Sequence, residues 1–188
     1  MSNIIVDISN NGISRIKMND PKTYNSLSTN MLKELIKCFK MLDKDNKTKV
    51  IIIEGLGKGF CAGHNLKEIK SLKGKKQYLK LFTLCSELMM SIINNNKPVI
   101  AKVHGAAYAA GCQLVASCDL AISSNEALFS TPGVNIGLFC STPMVAVSRN
   151  VSKKKTMKMI LTGDAITARY AKEISLIKET SQNLEMIA

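Results

Sequence analysis

No run of apolar residues in this sequence is long enough to cross a bilayer. Runs such as Val50 to Ile53 and Leu114 to Ala116 fall far short of the roughly 20 residues a spanning helix needs. Histidine is nearly absent, with only His64 and His104, and the six cysteines (Cys38, Cys61, Cys85, Cys112, Cys118 and Cys140) form no Cys-x-x-Cys pair. A zinc site is therefore not expected, and thiols set inside apolar stretches read as reduced and buried. Aromatic residues make up only 5% of the chain. The lysine-rich stretches Lys73 to Lys80 and Lys153 to Lys155 contain Tyr78 alone, poor material for stacking on bases. The start, Met1-Ser2-Asn3 followed by apolar Ile4 to Ile8, lacks the basic-then-apolar order of a signal peptide, and the final residues are not a peroxisomal address. The expectation is a cytoplasmic protein without membrane association, unless a leader is missing. Acidic residues are scarce, 14 against 26 basic, for a net charge of +12. Such an excess attracts polyanions, or simply keeps a surface soluble.

What is present reads as one domain over residues 1–188, long enough for a sizeable core. Ile4 to Ser9 and Ile13 to Met18 are expected strands around the turn Asn10-Asn11-Gly12, and Asp20-Pro21 interrupts the pattern. Ser28 or Thr29 caps a helix to about Lys44, with Met31, Leu32, Leu35, Ile36, Phe39 and Leu42 at helical spacing. Lys33, Lys37, Lys40 and Lys44 share its opposite face. Val50 to Glu54 and Val99 to Val103 are short buried strands, each followed by a stretch rich in small residues. Helices are expected from Gln77 to about Ile93, Ala110 to Cys118, Lys154 to Leu161 and Thr167 to Glu173. Leu120 to Ser123 and Leu128 to Ser130 read as strands, and Ser141-Thr142-Pro143 has the form of an N-cap followed by a first-turn proline. Alternating strands and helices argue for an α/β layer architecture.

Two loops could carry chemistry, one after Val50 to Glu54 and one after Val99 to Val103. Ligands of α/β folds sit beyond the carboxyl ends of strands, and small residues let them approach the backbone. Free N–H groups at a helix start donate to negative oxygen, and two of them converging on one oxygen make an oxyanion hole. A glycine-rich stretch can equally be only a turn. The sequence after Gly55 is not a phosphate-binding loop, since no Gly-Lys-Ser/Thr follows.

The segment Gly59-Phe60-Cys61-Ala62-Gly63-His64-Asn65-Leu66-Lys67-Glu68 resembles the crotonase (enoyl-CoA hydratase/isomerase) motif F-x-A-G-x-D-L, and His104 through Asp119 resembles that family's second motif. Asn25-Ser26-Leu27, Phe129-Ser130-Thr131-Pro132, Leu161-Thr162-Gly163 and Thr167-Ala168 match as well, so the resemblance spans essentially the whole chain. It implies a crotonase (ClpP/crotonase-like) fold of repeated ββα units. It also implies acyl-CoA as ligand, with the CoA thioester as substrate rather than a separate cofactor, no metal, and a role in fatty-acid metabolism. The two oxyanion-hole N–H groups fall at His64 and Ala110. Ala62, Asn65 and Leu66 would line the adenine and pantetheine path, Asn65 standing where the family commonly has aspartate. Ser26 and Leu27 would form another part of the CoA wall. The His64 ring could touch CoA or fill space. Asp119 matches a structural aspartate.

The departures from the family bear on activity. Hydration needs a base to activate water and an acid to protonate carbon. The family's first glutamate falls at Gln113, which cannot take up a proton at neutral pH, and its second at Gly133, which has no side chain. Phe139 to Thr142, where isomerase and dehalogenase relatives carry an acid, holds none. The C-terminal helical part that covers the acyl pocket and makes trimer contacts is expected to be shortened or missing here, with Asn183 to Ala188 just turning helical. A homotrimer or hexamer follows from the resemblance if that part is supplied, and a mitochondrial location if a leader is missing. The expectation is an acyl-CoA-binding protein with weak or no hydratase activity. The alternative is a non-catalytic interaction or RNA-binding homologue using the lysine face of the first helix.

Overall fold

The computed structural model describes residues 3–186. Ile187 and Ala188, the end of the expected last helix, lie outside the described residues. The chain opens with β1 (Ile4–Ile8) and β2 (Ile13–Met18), joined through the Asn10-Asn11-Gly12 turn into an antiparallel pair with Ile4 opposite Met18. A 3-10 turn at Pro21–Thr23 leads to α1 (Thr29–Lys44), where the Ser28 hydroxyl accepts from Met31 N–H at 3.2 Å and caps the helix as expected. Its six spaced apolar residues are all buried, while Lys33, Lys37, Lys40 and Lys44 are exposed. Lys40 is tied to Glu87 at 2.8 Å.

After α1 come β3 (Val50–Gly55), a short α2 (Leu66–Ser71) and α3 (Lys75–Ile93). Then follow β4 (Val99–Val103), β5 (Ala106–Tyr108), α4 (Ala110–Ser117), β6 (Leu120–Ser124) and β7 (Leu128–Ser130). A 3-10 segment at Pro132–Ile136 precedes α5 (Ser141–Asn150) and α6 (Lys153–Thr162). The described chain closes with β8 (Ile166–Thr167), α7 (Ala168–Glu173), β9 (Glu179–Ser181) and a 3-10 turn at Leu184–Met186. At α5 the expectation needs correcting. Cys140 occupies the cap position without a side-chain capping bond, and Ser141 is already the first helical residue.

Six strands form one sheet in the order β1-β2-β3-β4-β6-β9, and β5-β7-β8 form a second, smaller one. From β2 to β9 the large sheet is parallel. Ile51, Ile52 and Ile53 on β3 are all buried, as a parallel strand covered on both faces requires. Asp119 accepts from Val99 N–H at 2.7 Å and so fixes the start of β4, the structural role expected of it. At the other end of β4, Lys102 is buried against Glu54 of β3 (3.2 Å), with Arg15 of β2 on the same carboxylate and Glu185 reaching Lys102 from the Leu184–Met186 turn.

Candidate functional site

The two loops singled out by their small residues lie side by side. Cys61 N–H donates to Ala106 O (3.0 Å) and Tyr108 N–H to Cys61 O (2.9 Å), so the first loop runs as an extra bridge along β5. Asn25, buried with φ 55°, holds that loop from the other side. Its amide Nδ2 reaches the carbonyls of Leu56 (2.9 Å), Gly59 (2.9 Å) and Phe60 (3.1 Å). This anchor was missed as a functional position from sequence, although the Asn25-Ser26-Leu27 match was visible.

The loops meet at Gly63. Its φ is +89°, and a Cβ placed there would lie 2.8 Å from Tyr108 O, 2.9 Å from Ala109 Cβ and 3.1 Å from Ala110 N. Only glycine permits both that backbone and that approach. Next along the chain is His64. Facing it, Ala110 begins α4, where main-chain N–H groups lack intrahelical partners and the helix dipole is positive. Among the described residues neither the His64 nor the Ala110 N–H donates to another group.

Both residues line a cavity of about 570 Å³. Leu66 and Ile69 of α2 and Phe82 of α3 form one wall, and residues of the 132–143 segment form the other. Among the described residues no Asp, Glu, Lys or Arg side chain lines it. The exposed lysines Lys67 and Lys70 flank Leu66 and Ile69 on α2. Two donors on an apolar cavity are suited to stabilising charge on a carbonyl oxygen, because a low-dielectric setting strengthens each bond.

Of the residues named from sequence, Ala62, His64, Leu66, Ala110 and Gly133 line this cavity, while Ser26, Leu27, Asn65 and Gln113 do not. Ser26 Oγ donates to Thr23 Oγ1 at 2.9 Å, and the Leu27 side chain is fully buried in the core. Asn65 caps α2, its Oδ1 accepting from Lys67 N–H (3.1 Å) and Glu68 N–H (3.2 Å). Asparagine and aspartate are comparable caps, so the departure from aspartate costs this function little. Gln113 is buried in the first turn of α4, and its Oε1 has no hydrogen-bond partner.

The His64 ring meets Phe82 edge-on at 5.3 Å between centroids, with both ring nitrogens buried and unpartnered. Burial holds its pKa below the ordinary value, opposed by the Leu27 backbone and the Glu68 carboxylate, so the imidazole is neutral at physiological pH. At Gly133 a side chain has no room: a Cβ would run into the Leu138 carbonyl oxygen and lie 2.7 Å from Cys140 Sγ. Among the described residues no group of three or more His, Cys, Asp or Glu could hold a metal ion.

A ββα-built pair of sheets with this double-loop site belongs to a known class. The enoyl-CoA hydratase/isomerase family model matches residues 8–186, and the chain belongs to this family, the crotonases. Within it the chain is similar to enoyl-CoA hydratase domain-containing protein 3, mitochondrial. Identity is 48% over 167 residues to the Danio rerio protein (88% of this chain, 57% of the relative) and 45% over 175 residues to the Homo sapiens protein (93% and 58%). The wording of Gly111 to Asp119 and Thr131 to Pro143 points to the same subgroup. The crystal structure of the human protein superposes with a TM-score of 0.93 at 43% identity, covering 98% of this chain and 73% of that one. A Mycobacterium smegmatis enoyl-CoA hydratase structure gives 0.93 at 42%, covering 95% and 69%. The chain thus spans a little under three fifths of the length of these curated relatives. Both carry mitochondrial names, and among the described residues no helix is long and apolar enough to cross a membrane.

Proposed function

We propose that this chain binds acyl-CoA thioesters, with the acyl group in the cavity and the thioester oxygen between the N–H groups of His64 and Ala110, and that it hydrates enoyl-CoA very slowly or not at all. The observation that carries this reading is the contact of Gly63 with the Ala109–Ala110 turn, which brings two main-chain donors to one apolar cavity. Lys67 and Lys70 support it by offering positive charge beside the cavity to the phosphates of CoA. Slow turnover follows from Gln113 and Gly133. Each acid–base group of this kind contributes about 10²–10⁴-fold, and the cavity walls offer no carboxylate in exchange. The family's second carboxylate also cannot be restored by one change, because the Leu138 carbonyl and Cys140 close the space at 133.

The experiment pairs calorimetric titration of butyryl-CoA with a crotonyl-CoA hydration assay. Saturable binding is expected, with hydration several orders of magnitude below an active hydratase, and Gly133→Glu should leave hydration unrestored and lower the melting temperature. Absence of binding, or rapid hydration that survives Gln113→Ala, overturns the reading.

A further inference from the structure

Ala109 holds a backbone conformation that residues with a Cβ avoid, φ 51° with ψ −118°. Tyr24, also at positive φ, has ψ 45° and lies in the ordinary left-handed region, whereas Ala109 lies outside it. The conformation is clamped from both sides. Ala109 N–H donates to Ser130 O at 2.8 Å, and its carbonyl accepts from Gln113 N–H at 3.0 Å. This bend takes the chain from β5 into α4 and leaves the Ala110 N–H without a partner at the helix start. Glycine would take the same bend without strain. The methyl is therefore retained at a cost, and it has a definite place. Ala109 lines the cavity, and its Cβ closes the space beside Gly63, where an added Cβ would come within 2.9 Å of it. Gly63 precedes His64, the residue carrying the other N–H.

We propose that Ala109 is a positioning residue: its methyl group, bearing on Gly63, sets the separation and aim of the His64 and Ala110 N–H groups so that both reach one thioester oxygen. The proposal rests on the acyl-CoA reading above. It separates two properties that usually move together, since removing the methyl relieves strain while loosening the pair of donors.

The test compares binding of butyryl-CoA with that of S-butyl-CoA, a thioether lacking the carbonyl, for the native chain, Ala109→Gly and Ala109→Ser, alongside their melting temperatures. The native chain is expected to favour the thioester by about tenfold or more, at about fivefold per hydrogen bond. Ala109→Gly should melt about 2–4 °C higher yet lose at least about threefold of that preference, while Ala109→Ser, which keeps a Cβ, retains it. A glycine variant that keeps the native preference or melts lower overturns the proposal, as does a serine variant that behaves like glycine. If the native chain fails to bind butyryl-CoA, or binds thioester and thioether alike, the acyl-CoA reading itself falls and takes this one with it.

Discussion

His64 divides its work between main chain and side chain. The residue lines the cavity, while its ring is packed against Phe82 with both nitrogens unpartnered among the described residues, and only the neutral form suits that setting. Its folded-state pKa is held below the ordinary 6.5, so between the two values the unfolded chain binds more protons. Its contribution to stability is complete above the ordinary value and declines as pH falls below it. Glu179 and Glu185, held down by Lys172 and Lys102, lose theirs only below the ordinary carboxylate value of 4.5. Melting temperature should therefore fall from about pH 7.5 to about pH 5.5, and His64→Leu should flatten that slope. An unchanged slope in the variant would show the ring is not the titrating group. At this scale motif spacing picks out positions 64, 110 and 133, and all three line the cavity. The closure of 133 was not legible, since the Leu138 carbonyl and Cys140 arrive there only through the path of the 132–143 segment.

Elements long enough to show a period were read correctly. The six apolar residues of α1 and the Ser28 cap stand where helical spacing puts them, and Val99–Val103 is a strand with the expected ends. Of the short ones, Leu128–Ser130 and Ala168–Glu173 stand where they were expected, but β5 and α2 were not foreseen. β5 is three residues hidden in a stretch that reads as loop, and α2 is six residues with none fully buried, so neither shows a period. Yet α2 supplies Leu66 and Ile69 to the cavity, and such a short helix leans heavily on its cap. Asn65→Ala removes the acceptor for two N–H groups and should cost about 0.5–2 kcal/mol of helix stability. Because that helix is a cavity wall, we expect butyryl-CoA affinity to fall with it while the global melting temperature moves little. A variant that binds as tightly as the native chain would remove α2 from the site.

Across the whole molecule four thiols are buried, while Cys38 and Cys118 are partly so. The cysteines are free, and burial pushes Cys61, Cys85 and Cys112 up to about 12. A thiol held protonated and out of water is a poor nucleophile. In Ellman's assay the buried Cys61, Cys85, Cys112 and Cys140 should not react fast in the native protein, and denaturant should release all six. Added reductant should leave the melting temperature where it was. Three or more thiols reacting within seconds in the folded state would contradict the packing described. The α/β class and the family were legible at this scale because so many local motifs agree. The strand order was not, because β9 has only three residues and joins the sheet from far along the chain.

That late strand has a consequence for how the protein is made. Its partner β6 is translated well before it, with residues 125–178 in between, and Ile122 meets Glu179 only across that gap. A nascent chain still being synthesised therefore carries β6 with one side unguarded, the situation in which sheets recruit neighbours and clump. Residues 179–181 end that exposure, and Glu185 then reaches Lys102 and Arg15 to fasten the seam. A chain ending shortly before residue 179 would keep that edge of β6 open to a neighbour.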